Sequence, residues 1–187
     1  ILQTGTVIID KKTYELDTDG SLKGYTPKKK SSKKKSSDKS ATSDKSGTST
    51  AKKSVALTFD DGPSSFTDRL LDCLEENNAK ATFFMVGTEI ASFPDEVKRM
   101  KKLGCELGNH TYDHKDLATL SSDEISSEIA RVDEQLVNLT GEGASVVRPP
   151  YGSVNDTVKS TVGTPMILWS IDTLDWKTQD VESTVEE

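Results

Sequence analysis

His110 and His114 are the only two histidines in the 187 residues, and they stand four apart, directly after a short strand-like segment. Two imidazoles at that spacing can meet one metal ion, from a helical turn or from a loop at a strand end. Upstream, the largely apolar run Val55–Phe59 leads into Asp60-Asp61 and then Gly62-Pro63. Adjacent carboxylates repel, so a strand end carrying them calls for a cation or for separate hydrogen-bond partners. Taken alone, Asp-Asp-Gly-Pro reads sooner as a surface turn than as a site. Two histidines, one aspartate and an open position for water form a donor set suited to Zn²⁺. Such a cation acidifies a water and polarises a carbonyl, which are the two requirements of amide hydrolysis. One aspartate of the pair can ligate while the other accepts a proton from water. Arg148 is the cation that would keep the second carboxylate ionised and oriented.

The elements that must position these residues alternate between strand and helix from Val55 onward. Strands are expected at Val55–Phe59, Ala81–Val86, Cys105–Gly108, Val146-Val147 and Met166–Ile171. Helices are expected at Thr67–Asn77, with Leu70, Leu71 and Leu74 on one face, at Pro94–Leu103, closed by Gly104, and at Ser153–Val162, with a last one from Thr178. The clearest is Ser121–Leu139: Ser121 and Glu124 form a capping box, Ile125, Ile129, Val132, Leu136 and Leu139 recur at helical spacing, and Gly141 follows. Alternating strands and helices imply a parallel sheet, open or closed into a barrel. On that map Asp60-Asp61, Asn109–His114, Arg148–Gly152 and Asp172–Trp176 all fall at C-terminal ends of strands, where α/β barrels gather their chemistry.

Composition divides the chain. Aliphatic, aromatic and cysteine residues make up 33%, low for a single core of this length. Residues 27–54 carry a local charge of +8 and residues 55–187 one of −14. The acidic part argues against nucleic acid as a partner. Residues 26–54 are almost entirely Lys, Ser, Thr, Asp and Ala, and read as a flexible linker that cannot bury enough apolar area to order itself. Its basic charge could lie on an anionic surface such as a cell wall or membrane. Residues 1–25 read as a small hairpin, with strands at Val7–Ile9 and Thr13–Leu16. That hairpin resembles the aromatic and glycine repeats of bacterial cell-wall-binding modules. Asp17-x-Asp19-Gly20 opens like a calcium loop, but the twelfth position would be Lys28, so calcium is rejected. Cys73 and Cys105 suit small buried residues, with a disulfide as the minor option. No apolar run approaches the ~18 residues of a membrane span.

Taken together, Thr58–Pro63, His110–His114, Arg148–Gly152 and Asp172–Trp176 resemble the polysaccharide deacetylase family, the carbohydrate esterases (family 4) with a NodB homology domain. The resemblance covers residues 55–187 and implies a distorted (β/α) barrel. It also implies removal of acetyl groups from a polysaccharide, with peptidoglycan N-acetylglucosamine favoured over chitin or xylan by the hairpin and linker in front. It assigns Asp61, His110 and His114 to a divalent metal, with Zn²⁺ expected, Asp60 to the general base and Arg148 to orienting it. The Tyr151 backbone N–H, beside Pro150, would help hold the oxyanion. Asp175 would tune a catalytic histidine, and Trp176 would line the sugar groove. The resemblance further implies secretion and a place at the cell wall.

The family has one more motif, Leu-x-His, whose histidine protonates the leaving amine, and no third histidine is present here. The expectation is a barrel truncated at its C-terminus, with that motif beyond residue 187 and this piece inactive by itself. The alternative is a catalytically silent homologue that binds cell-wall carbohydrate.

Overall fold

The computed structural model describes residues 55–186 and the backbone of two earlier strands, β1 (Gly5–Ile9) and β2 (Lys12–Leu16). These two strands pair antiparallel, Gly5 opposite Leu16, where the sequence suggests a hairpin. Residues 17–25 of that segment, with the rejected calcium string, and the linker expected over 26–54 lie outside the described residues.

One compact unit spans Lys52–Leu168. Its sheet runs β3 (Leu57–Gly62), β4 (Ala81–Met85), β5 (Glu106–Asn109) and β6 (Val146–Val147), in that order and parallel throughout. Between the strands lie α1 (Thr67–Glu76), the short α2 (Gly87–Ile90), α3 (Pro94–Leu103) and α4 (Ser122–Thr140), with α5 (Asp156–Thr161) after β6. The main core joins Phe83, Met85 and Leu107 of the sheet to Leu71 and Leu74 of α1, Val97 and Met100 of α3, and Val132 and Leu136 of α4. A second cluster packs Leu117, Ile125, Val147, Val158 and Val162. Cys105 is buried as expected. Cys73 is exposed, because the apolar stripe of α1 runs through Leu71 and Leu74 and turns position 73 to solvent; both cysteines are free thiols.

Three departures from the expected elements have local causes. β3 begins later and runs through both aspartates to Gly62. α5 starts at Asp156 because the side chain of Asn155 accepts the N–H of Val158 at 2.9 Å and caps the helix there. The strand expected over Met166–Ile171 is reduced to a single parallel bridge from Met166 to Val147. β6 is only two residues long, so its partner has little ladder to join. The carbonyls of Ile167 and Leu168 turn instead to the Arg148 guanidinium, at 3.2 and 2.8 Å.

The other described residues, 169–186, carry two short helices, α6 (Asp175–Thr178) and α7 (Val181–Glu186). No helix among the described residues is long and apolar enough to cross a membrane.

The capping box of α4 is formed in full. The N–H of Ser121 donates to Glu124 Oε2 at 2.9 Å, and the Ser121 hydroxyl donates to the same oxygen at 2.7 Å. Gly141 closes the helix at φ 82°, a left-handed conformation that favours glycine. The Ser121 hydroxyl, then its backbone N–H, hold the Glu124 carboxyl below its ordinary range. A depressed carboxylate stabilises the fold above its unfolded-state pKa, and that contribution disappears as pH falls through the folded value. Ser121→Ala, which removes the cap and one of these hydrogen bonds, should lower stability at neutral pH. Urea denaturation should show the gap between variant and parent narrowing at pH 3.

Candidate metal centre

The sheet register brings the site together. Gly62 stands beside Met85, Met85 beside Asn109, and Asn109 beside Val147, forming one row across all four strands. The ladder continues past the strand ends: Val86 N–H donates to Gly62 O, His110 N–H to Met85 O, and Arg148 N–H to Asn109 O, each at 2.9 Å. Asp60-Asp61 just before the row and His110 and Arg148 just after it are thus neighbours by backbone pairing alone.

Within β3 the register shifts. Phe59 pairs with Phe83 but Gly62 with Met85, so β3 holds one residue more than its partner at Asp60-Asp61. In a regular strand adjacent side chains point to opposite faces. A bulge re-aims them. Asp61 takes φ 65° there. As a result both carboxylates approach one nitrogen: Asp61 Oδ1 lies 3.4 Å and Asp60 Oδ2 4.0 Å from His110 Nε2. His114 Nε2 is 3.2 Å from the same Asp61 oxygen. Asp61, His110 and His114 each offer one ligand atom, all within 4.8 Å of one another.

The donor set fits a cation. His110 Nδ1 lies 2.6 Å from the Arg148 carbonyl oxygen, which only accepts, so Nδ1 carries the proton. Neutral His110 then presents the Nε2 lone pair to the Asp61 carboxylate, two electron-rich atoms facing each other with nothing to bond them. A cation between them resolves this, and a backbone carbonyl on the far ring nitrogen is how metal-ligating histidines are commonly oriented. A proton on Nε2 is the other resolution. A hydrogen bond from His110, opposed by burial and aided by the charge of both imidazoles, would then hold the Asp61 carboxyl below its ordinary range.

Asp60 has a different partner. Its Oδ1 accepts from Arg148 Nη1 at 2.6 Å, and the same Nη1 donates to Thr58 Oγ1 at 2.9 Å. Arg148 is 3% exposed; its guanidinium lies over the Phe84 ring and is fixed by the Ile167 and Leu168 carbonyls. A guanidinium bound on several sides is a rigid support for one carboxylate oxygen. Tyr151, at φ 60° and 70% exposed, sets its ring edge-on to His114 with centroids 5.0 Å apart, and Pro150 beside it is buried.

Asp60, Asp61, His110, His114, Arg148, Pro150 and Tyr151, all named from the sequence, lie in this one unit. Asp172, Asp175 and Trp176 lie on the segment after it. There Asp175 accepts from the Thr173 hydroxyl at 2.9 Å and Trp176 is exposed. Sequence reasoning missed the bulge, although two adjacent carboxylates at a strand end were its signal. It also missed Gly87 and Glu128, which touch the histidine loop.

A four-stranded parallel sheet thus carries at its C-terminal edge an Asp-His-His donor set that could hold a metal ion, beside an arginine-held carboxylate. A family model described as polysaccharide deacetylase matches residues 47–164, and the chain belongs to that family. It is 45% identical over 130 residues to a peptidoglycan-N-acetylglucosamine deacetylase of Bacillus cereus, covering 67% of this chain and 47% of that protein. It is 44% identical over 126 residues to the enzyme of the same name from Listeria monocytogenes, covering 67% of this chain and 27% of that one. The chain thus spans less than half the length of either relative. A solved T48 deacetylase with substrate superposes with TM-score 0.69 at 42% identity, covering 70% of this chain and 66% of that chain. These relatives accord with the α/β fold expected from the strand and helix pattern.

Gly87 supplies the close contact behind the histidine loop. Its N–H donates to Thr111 O at 3.0 Å, and a Cβ there would stand 2.4 Å from the Tyr112 ring and 2.9 Å from Tyr112 Cα. Backbone cannot move aside as a flexible side-chain end can. Gly87→Ala should destabilise the chain by about 1–3 kcal/mol, read as a lower midpoint of chemical unfolding.

Proposed function

We propose that the whole protein removes acetyl groups from an N-acetylated polysaccharide at the bacterial cell wall, with N-acetylglucosamine of peptidoglycan as the substrate. The observation that carries this reading is the division of the carboxylate pair, Asp61 toward two imidazoles and Asp60 toward Arg148. The two peptidoglycan relatives support the substrate, and the N-terminal hairpin with the basic run behind it supports attachment outside the cell.

Asp61, His110 and His114 would hold the metal, for which two imidazoles and a carboxylate favour Zn²⁺. When bound, it supplies Lewis acidity, which acidifies water and polarises an acetyl carbonyl. Asp60 is the general base. Arg148 fixes its Oδ1, so Oδ2, which faces the His110 side, takes the proton from the attacking water. The Tyr151 backbone N–H, set by its left-handed conformation and the buried Pro150, helps hold the charge developing on the carbonyl oxygen. Asp175 and Trp176 keep the roles the resemblance implies, tuning a catalytic histidine and lining the sugar groove. Neither His110 nor His114 serves as acid for the leaving amine, since both face Asp61.

Acetate release from N-acetylated glycan by the whole protein with Zn²⁺ tests the reading. Asp60→Asn should lower the rate by about 10²-fold or more. An unchanged rate would remove Asp60 as the base. A parent protein that binds glycan without releasing acetate would make the chain a silent carbohydrate-binding homologue.

A further inference from the structure

The loop that carries both histidines has an unusual backbone. Thr111 and His114 take φ 68° and 53°, conformations L-residues seldom adopt, so the surrounding structure must hold them there. Tyr112 and Asp113, between the two histidines, donate their N–H groups to no strand. Both instead reach one carboxylate oxygen, Glu128 Oε2, at 2.9 and 2.8 Å.

Glu128 is 4% exposed and sits on the inward stripe of α4 with Ile125, Val132 and Leu136. An apolar residue would be the ordinary occupant of that stripe. A buried carboxylate needs partners for its charge as well as its lone pairs. Lys115 Nζ, just beyond the second histidine, donates to Glu128 Oε1 at 2.9 Å. Other parts of α4 grip the same loop. Asn109 Nδ2 donates to the Ile129 carbonyl at 3.0 Å and to Asp133 Oδ1 at 3.2 Å, while Asn109 Oδ1 accepts the Thr111 N–H at 2.9 Å. Arg131 covers the Tyr112 ring. From the opposite side the N–H groups of Gly87 and Thr88 donate to the Thr111 and Tyr112 carbonyls at 3.0 and 3.1 Å.

We propose that Glu128 is the positioning residue of the metal centre, holding the His110–His114 loop in its ligating shape by accepting the N–H groups of Tyr112 and Asp113. The inference rests on the reading of Asp61, His110 and His114 as a metal site. Glu128 is not among the three ligand residues; it acts through the backbone between His110 and His114. The sequence signal is a glutamate in the apolar stripe of a helix, fourteen residues past His114.

The test compares the parent chain with Glu128→Gln and Glu128→Ala by Zn²⁺ titration and by exchange of the Tyr112 and Asp113 amide hydrogens without metal. Gln keeps an oxygen for both N–H groups but loses the charge and the acceptor for Lys115, whose amine retains Asp113. Zn²⁺ affinity should fall about 10- to 100-fold in Glu128→Ala and stay within about threefold of the parent in Glu128→Gln. Exchange at both amides should be faster in Glu128→Ala alone. Should Glu128→Ala fail to fold, Glu128→Asp replaces it: its carboxylate is one methylene too short, and the same loss is expected. Parent-like affinity and exchange in the Ala or Asp variant would overturn the proposal. So would equal weakening in Glu128→Gln, which would assign the effect to charge. A parent chain with slow exchange at both amides but no Zn²⁺ binding would overturn the metal reading instead and leave the clamp standing.

Discussion

Two carboxylates cannot stand side by side at the end of a strand without something to separate or neutralise them. In this protein the bulge in β3 meets that constraint. One extra residue between Phe59 and Gly62, with Asp61 in a left-handed conformation, lets Asp60 and Asp61 reach the same region while taking different partners. Asp60 is held by the buried Arg148, and Asp61 faces two imidazoles. The arrangement depends on the sheet, because Gly62, Asn109 and Val147 belong to one register row and the chains leaving it supply every other member of the site.

Arg148 connects the two halves of this arrangement. Its side chain orients Asp60, and its backbone carbonyl accepts from His110 Nδ1 and so fixes which imidazole nitrogen faces Asp61. One residue thereby orients one carboxylate of the pair and sets the tautomer of an imidazole that faces the other. The same guanidinium takes the carbonyls of Ile167 and Leu168, while the Ile167 N–H still donates to Val147 O at 2.8 Å. α4 contributes from behind, where Glu128, Ile129 and Asp133 answer polar groups of the histidine loop that the sheet cannot reach.

Much of this was legible in the residues. The alternation of strand and helix, the capping box at Ser121 and the cluster of polar motifs at strand ends follow from periodicity and local chemistry, which act over a few residues. The contributions of Gly87 and Glu128 were not legible, because each depends on what another segment places against it. Gly87 reads as an ordinary strand-end glycine until Tyr112 is set against it. Glu128 stands out in the sequence only as a charge within the apolar stripe of α4, and what it accepts there appears once the histidine loop is set against it. The Met166–Ile171 run had the composition of a strand but only a two-residue partner. Cys73 had a buried residue's chemistry on an exposed helix face.

The central claim is that the adjacent aspartates do different work, Asp61 holding the metal and Asp60 moving a proton. Calorimetric Zn²⁺ titration of Asp60→Asn and Asp61→Asn, alongside the parent chain, tests it most directly. The account predicts that Asp61→Asn loses at least about tenfold in affinity while Asp60→Asn stays close to the parent. Equal losses in the two variants, or a larger loss in Asp60→Asn, would contradict it.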